Sequence, residues 1–383
     1  MLLIKNGHVK TMAGADLPRG SVLIGDDGKI AKVGARITAP KGCEVYDAKG
    51  ALVTPGLVEA HCHIGLHNAA MRWEGADFNE KSDPVMPQLR AEDSIQPMDI
   101  QFEDAVKGGV TCVCTGPGSS NVVGGTFAVI KTTGRRVDDM IVKAPAAMKI
   151  AFGENPKNAF GQSKGRAPVT RMMVVGILRE LLYKAKAYME EKESGKPPKY
   201  DIKLEALIPV LKKEIPLKAH CHRADDIFSA IRVAKEFDVD LTLDHCTEGH
   251  LIAEEIAKEG YPALIGPTLH SRNKPEVKNK SFATPGVLDR AGMKVAIITD
   301  APVIPLEFLP LCAGLAVAEG LDYEQGWKAV TRYPAEILGV SDRVGTLEPG
   351  KDGDLVVWTA DPLTAVGARS ALTVIGGNVV YKA

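Results

Sequence analysis

Cysteine is scarce here and lacks any framework spacing: seven residues, an odd number, in a chain of 383. That excludes a disulfide-stapled scaffold as the organising device. Cys62, Cys221 and Cys246 each sit beside a histidine on an expected strand. They read as small wall residues of a reduced, cytoplasmic protein. Cys112 and Cys114 are one residue apart on a strand, too local for a useful staple, and are expected to pack in the core. An excess of one charge is also missing. Lys and Arg number 47 against 48 Asp and Glu, for a formal net charge of -1. With no basic or acidic block, neither nucleic acid nor an anionic membrane surface is expected as a partner. No apolar run reaches transmembrane length. The opening Met1-Leu2-Leu3-Ile4-Lys5-Asn6-Gly7 turns polar too soon for a signal peptide.

What is present is ordinary for a soluble globular protein: 45% hydrophobic and 25% charged residues. A length of 383 residues exceeds one simple core, so a large domain plus a smaller one is expected. Residues 1 to about 53 look all-β. Short alternating runs are separated by Asn6-Gly7, Asp26-Asp27-Gly28 and Lys49-Gly50, which read as hairpin turns. The far end, 344–383, has the same character, with Leu355–Trp358 as a buried strand and a final hairpin at Gly376-Gly377. The two ends are expected to meet in one composite β-sandwich.

Between them, over 54–343, strands and helices alternate. Expected strands are Leu57–His63, Val110–Thr115, Ala147–Phe152, Leu217–His222, Leu241–His245, Ala263–Gly266 and Val295–Thr299, with Gly125–Lys131 as a candidate eighth. Expected helices include Ile100–Lys107, Arg171–Lys192, Asp225–Glu236, Thr247–Glu259 and Tyr323–Thr331. Such alternation argues for parallel βα units. The fold class expected is α/β, a TIM-like (β/α)8 barrel carrying the small β-sandwich, because potentially ligating residues recur at the C-terminal ends of several strands. Leu66–Pro97 and Ser271–Pro285 read as long loops, of the kind that form lids or binding loops. Glu190–Lys199 reads as the charged, solvated end of a long helix.

The chain is organised around Pro55-Gly56-Leu57-Val58-Glu59-Ala60-His61-Cys62-His63. Successive strand residues point to opposite faces, so His61 and His63 share one face. Two imidazoles there can grip one metal ion, with zinc-type ligation the default. Taken alone, the pair could be two surface histidines. Three later strands repeat the signal. His220-Cys221-His222 is a second His-x-His, Leu241–His245 ends on histidine, and Ala296–Asp300 ends on aspartate. At one end of one barrel, these would form a pool of imidazoles and a carboxylate suited to one or two divalent cations.

With these motifs in view, the chain resembles the amidohydrolase superfamily of metal-dependent hydrolases over nearly its whole length. Residues 55–63 resemble its opening metal motif, Gly108-Gly109-Val110-Thr111 its entry to the second strand, and Glu348–Leu355 its tail motif. His220–Asp226 places it nearest the imidazolonepropionase-like and prolidase-like branch. The resemblance implies metal ligation by His61, His63, His220, His245 and Asp300, and substrate contact by His222. For the bridging position it offers Lys149, which would be carboxylated, or Glu154. The two differ by five positions, so one unbroken strand cannot present both. Homo-oligomers are usual in that superfamily.

The chemistry implied is hydrolysis of a C–N bond in a cyclic amide, dipeptide-like or related small substrate. A bound divalent ion lowers the pKa of water from 15.7 to about 7. Asp300 would shuttle the proton, and the metal or His222 would stabilise the oxyanion. Arg223 and Arg272, after strand ends, are candidates for a substrate carboxylate. Two alternatives stand: deamination of a ring amine, and a non-catalytic relative, against which the intact ligand set argues.

Overall fold

The computed structural model describes residues 1–195 and 198–383. The two chain ends share one eight-stranded sheet. From the N-terminus come β1 (Leu2–Val9), β2 (Leu17–Ile24), β3 (Ile30–Gly34), β4 (Glu44–Asp47) and β5 (Leu52–Pro55). The central strands β6 to β13 are given below, and β14 (Leu355–Trp358), β15 (Ser370–Ile375) and β16 (Asn378–Lys382) complete the end sheet. Its order is β16-β15-β14-β5-β1-β2-β3, with β4 also on β1. Asn6-Gly7 is not a turn. It is an irregularity inside β1, where Asn6 takes φ 58° and the register to β2 shifts. A short polar side chain tolerates that left-handed conformation. The kink lets the first half of β1 pair with β4 and the second half with β5, both parallel. Lys49-Gly50 therefore joins two parallel neighbours of β1 rather than a hairpin. Asp26-Asp27-Gly28 and Gly376-Gly377 do close antiparallel hairpins.

The central chain forms a second eight-stranded sheet, ordered β13-β12-β11-β10-β9-β8-β7-β6. Its members are β6 (Leu57–Cys62), β7 (Val110–Thr115), β8 (Val123–Lys131), β9 (Ile141–Ala151), β10 (Leu217–Cys221), β11 (Leu241–His245), β12 (Ala263–Ile265) and β13 (Val295–Ile297). This is a nearly closed, TIM-like barrel. Across the gap, buried Glu59 on β6 accepts from the Thr299 amide at 2.8 Å and its hydroxyl at 2.7 Å, just beyond β13. Parallel pairing runs from β9 to β13 and between β6 and β7. β8 departs from the expected pattern, pairing antiparallel with both β7 and β9. The cause is the connection. No helix separates β7 from β8, only the Gly-rich 116–122 loop, so the chain must return antiparallel.

Helices Ile100–Lys107, Arg171–Glu193 and Ala224–Phe237 lie where the periodicity expects them. Thr247–Glu259 contracts to a 3-10 turn and Ala253–Ala257. Of the charged stretch 190–199, Lys196 and Pro197 lie outside the described residues. The two sheets are tied by charge. Lys131 on β8 reaches Asp354 at 2.6 Å and Asp352 at 2.9 Å, both in the tail motif. Among the described residues, no helix is long and apolar enough to cross a membrane.

Candidate metal centre

Strand parity decides which side chains meet inside the barrel. On β6, His61 points inward and is fully buried, while Cys62 turns outward into the apolar core around Ile64 and Phe102. His63 follows β6, His220 lies on β10 with His222 just after, and His245 ends β11. His245 and Asp300 both hold left-handed backbones, φ 69° and 55°. Such conformations cost on the order of 1–3 kcal/mol for non-glycine residues and recur at functional sites. They turn both side chains into the barrel mouth. The His220, His222 and His245 rings lie 4.4 to 4.7 Å apart between centroids, and His61 is 5.1 Å from His245.

Hydrogen bonds fix which ring nitrogens face inward. His63 Nδ1 contacts the Gly116 carbonyl and His245 Nδ1 the Gly266 carbonyl, each at 2.7 Å. His61 Nδ1 contacts Asp244 Oδ2 at 2.5 Å. Carbonyls and carboxylates only accept, so each Nδ1 carries the hydrogen and, in the neutral ring, each Nε2 carries a lone pair. His61 Nε2 lies 3.6 Å from Asp300 Oδ1, and His63 Nε2 lies 3.2 Å from the same oxygen. Lone pairs aimed at one carboxylate oxygen repel unless a proton or a cation lies between them. His245 Nε2, His222 Nε2, His220 Nδ1 and Asp300 Oδ1 are moreover buried without a hydrogen-bond partner among the described residues. His220, His222 and His245 form one compact ligand group, and His61, His245 and Asp300 form another. Burial drives the pKa of His61, His220 and His222 well below the ordinary histidine value, and that of His245 down to about 4. Neutral imidazole is the ligating form. The donor set thus fits one or two divalent cations.

Lys149 is wholly buried on β9, with Nζ 3.3 Å from His61 Nε2. Burial lowers its pKa to about 8, against the opposing pull of Asp244 and Asp300. Glu154 is not brought to the cluster. β9 ends at Ala151, and Gly153 turns the chain at φ 77°, where any Cβ would collide with the Glu276 carboxylate. Glu154 then faces a separate depression that Arg171, Arg223 and Glu276 also line. Arg223 is held there by Asp225 at 2.8 Å. Arg272 is exposed and donates to the Lys278 and Lys280 carbonyls. Neither arginine lines the cavity above the histidines.

Several residues of the site escaped the sequence reading. Asp244 holds His61 and accepts from Thr242 at 2.7 Å. Lys218, nearly inaccessible on β10, lies 3.0 Å from Asp244. Both Lys218 and Lys149 sit over the Phe127 ring, at 5.5 and 5.6 Å. Parity carried a signal: Lys218 shares the face of His220, and Thr242 and Asp244 lie on the face opposite Leu241 and Leu243. Above the cluster opens a cavity of about 440 Å3. Both long irregular segments wall it, through Phe78 and Asn79 and through Lys274 and Lys280, as does the Gly-rich loop through Ser119 and Ser120.

Comparison with known proteins agrees with this geometry. The family model described as the Amidohydrolase family matches residues 52–380. A Thermotoga maritima amidohydrolase structure is 41% identical, with TM-score 0.96 and complete coverage of both chains. An imidazolonepropionase of Brucella anthropi is 26% identical over 99% of this chain and 96% of its own. An amidohydrolase of Hapsidospora irregularis is 29% identical over 94% of this chain, which spans only 40% of that relative's length. By the family match across its barrel and tail, the chain belongs to the amidohydrolase family.

Proposed function

We propose that this enzyme hydrolyses a C–N bond in a cyclic amide, dipeptide-like or related small molecule, using one or two divalent ions, zinc by ligand chemistry. The observation that carries the reading is the pair of compact donor groups at the barrel mouth, His220 with His222 and His245, and His61 with His245 and Asp300, in which His245 Nε2, His220 Nδ1 and Asp300 Oδ1 are buried without a partner among the described residues. His61, His63, His220, His245 and Asp300 are the proposed ligands, with Lys149 as the bridging residue once carboxylated. The lowered pKa of Lys149 supports that choice, because only a neutral amine can take up carbon dioxide. Glu154, Arg223 and Arg272 are left out because their side chains face elsewhere. The small-molecule reading draws support from a cavity of about 440 Å3 and from the similarity to an imidazolonepropionase.

When bound, a divalent ion supplies Lewis acidity and makes a water acidic enough to react at neutral pH. The chain supplies the rest. Asp300 accepts the water proton at a carboxylate oxygen and returns it to the leaving nitrogen. Burial works to raise its pKa, but nearby positive charge, Lys149 included, outweighs that and holds it below the ordinary carboxylate value, so the group is ionised and able to accept. His222 Nδ1 lies 2.7 Å from the Thr247 hydroxyl. With that hydroxyl donating, His222 Nε2 carries a hydrogen and faces the cavity as an oxyanion donor. Phe78 and residues of the 271–285 segment, Lys274, Val277 and Lys280 among them, line the cavity.

The test is Asp300→Asn, with metal content and turnover measured on one preparation. Metal retained and kcat reduced by about 100-fold or more supports the proton-shuttle role. Full turnover excludes it.

A further inference from the structure

Four lysines, Lys81, Lys164, Lys274 and Lys280, line the cavity against one carboxylate, Asp300, which belongs to the metal cluster. Two of the four lie inside rather than at the rim. Lys280 Nζ is buried and has no hydrogen-bond partner among the described residues. Burial lowers its pKa, and Arg272, of the same sign, lowers it further. An ammonium left so is costly unless something else neutralises it. Lys274 Nζ donates to Asn155 Oδ1 at 3.3 Å, and Asn155 Nδ2 lies 3.3 Å from His220 Nε2. One amide side chain thus separates the Lys274 ammonium from a proposed ligand. Glu276 offsets its charge only in part, at 3.8 Å. Lys164, at the rim, is already occupied by the Lys81 carbonyl.

We propose that the cavity selects substrates bearing an anionic group, a carboxylate or similar oxyanion, and that Lys274 and Lys280 are the residues that receive it. The proposal rests on the hydrolase reading for where the scissile bond sits. The anion is then placed on the side of the cavity formed by the 271–285 segment, with the C–N bond over Asp300 and the histidines. Arg223 and Arg272, which the sequence suggests for this task, do not line the cavity. A loop pair takes over because lysine stems reach into the cavity from backbone that no strand constrains.

The test titrates metal-loaded, full-length protein by calorimetry, so it reads binding whether or not a probe is cleaved. Probes are the N-acetyl derivatives of glycine, alanine, leucine and proline, each as free acid and as carboxamide. Wild type is expected to bind at least one acid about tenfold or more tightly than its carboxamide, the scale of a charge-assisted pair. Lys274→Met combined with Lys280→Met should bring that ratio close to one, with carboxamide binding within about twofold of wild type. Lys274→Arg and Lys280→Arg, which keep the charge, should retain most of it and guard against a folding artefact. A wild-type ratio near one for every pair, no measurable binding of any acid, or a ratio untouched in the double Met variant overturns the proposal. If the acid preference appears but no probe is cleaved, charge selection stands and the hydrolase reading fails for these substrates alone.

Discussion

His61 and Asp244 are joined across the barrel interior, Nδ1 to Oδ2, at 2.5 Å, with both side chains wholly buried. The carboxylate fixes the tautomer and the ring orientation, so Nε2 meets Asp300 and Lys149. Lys218 at 3.0 Å and the Thr242 hydroxyl at 2.7 Å hold Asp244 in turn. A carboxylate behind a ligating histidine raises its basicity and pins its direction. Asp244→Asn is therefore expected to weaken metal affinity by about 10–100-fold. Competition against a chromogenic chelator measures this. Unchanged affinity would show that the pair merely packs the barrel.

Lys149 sets up a second expectation. Lys149→Ala should lower kcat/KM by about 100-fold or more, near 2.7 kcal/mol of transition-state stabilisation. The hole left beside His61 Nε2 is the size of the missing chain, so added propionate should restore part of the activity. A structural lysine predicts no such rescue. Full activity in Lys149→Ala removes Lys149 from the site.

The cluster of Lys131, Asp352 and Asp354 yields a stability prediction. Arg343 reaches Asp352 as well, at 2.8 Å. Lys131→Met strips a cation from two buried carboxylates and should cost about 3–5 kcal/mol in chemical denaturation. The pH dependence follows from the shifts. Burial opposes the charge on Lys131, yet the two aspartates outweigh it and raise its pKa above 10.5. Its contribution is full below that value and is lost as pH rises through the higher folded value. Burial likewise opposes the charge on Asp352, but Lys131 and Arg343 hold its pKa below 3.8. That contribution is full above 3.8 and is lost as pH falls through the lower folded value. Wild type should thus keep this stabilisation across the neutral range and lose it at both extremes. Lys131→Met should show less change at the alkaline end, and equal alkaline loss in both proteins contradicts the assignment.

Much of this was legible in the residues. Alternation alone placed His61 and His63 on one face, and the repeat of histidine or aspartate at four strand ends located the mouth of the barrel. Parity also separated Lys149 from Glu154, although it could not choose between them, and the turn at Gly153, which carries Glu154 to a separate depression, is not readable from alternation. Strand direction was not legible. β8 has the same composition as a parallel strand, and its reversal depends on a connection too short to cross the barrel. The arginines misled because nearness to a strand end in sequence does not fix the direction of a flexible side chain. Asp244 went unread because a strand carboxylate next to a histidine looks like part of the ligand motif rather than its support. Lys274 and Lys280 sit on irregular backbone, where no periodicity exists to read.

The most direct measurement is the elemental metal content of protein purified without chelators, with His220→Asn and His245→Asn prepared alongside. The buried ligand set predicts about one or two equivalents of a divalent metal per wild-type chain and a marked loss in both variants. Two equivalents would support a binuclear site with Lys149 as its bridge, and one would remove that bridging role. A wild-type protein without metal that takes none up on titration would contradict the central claim.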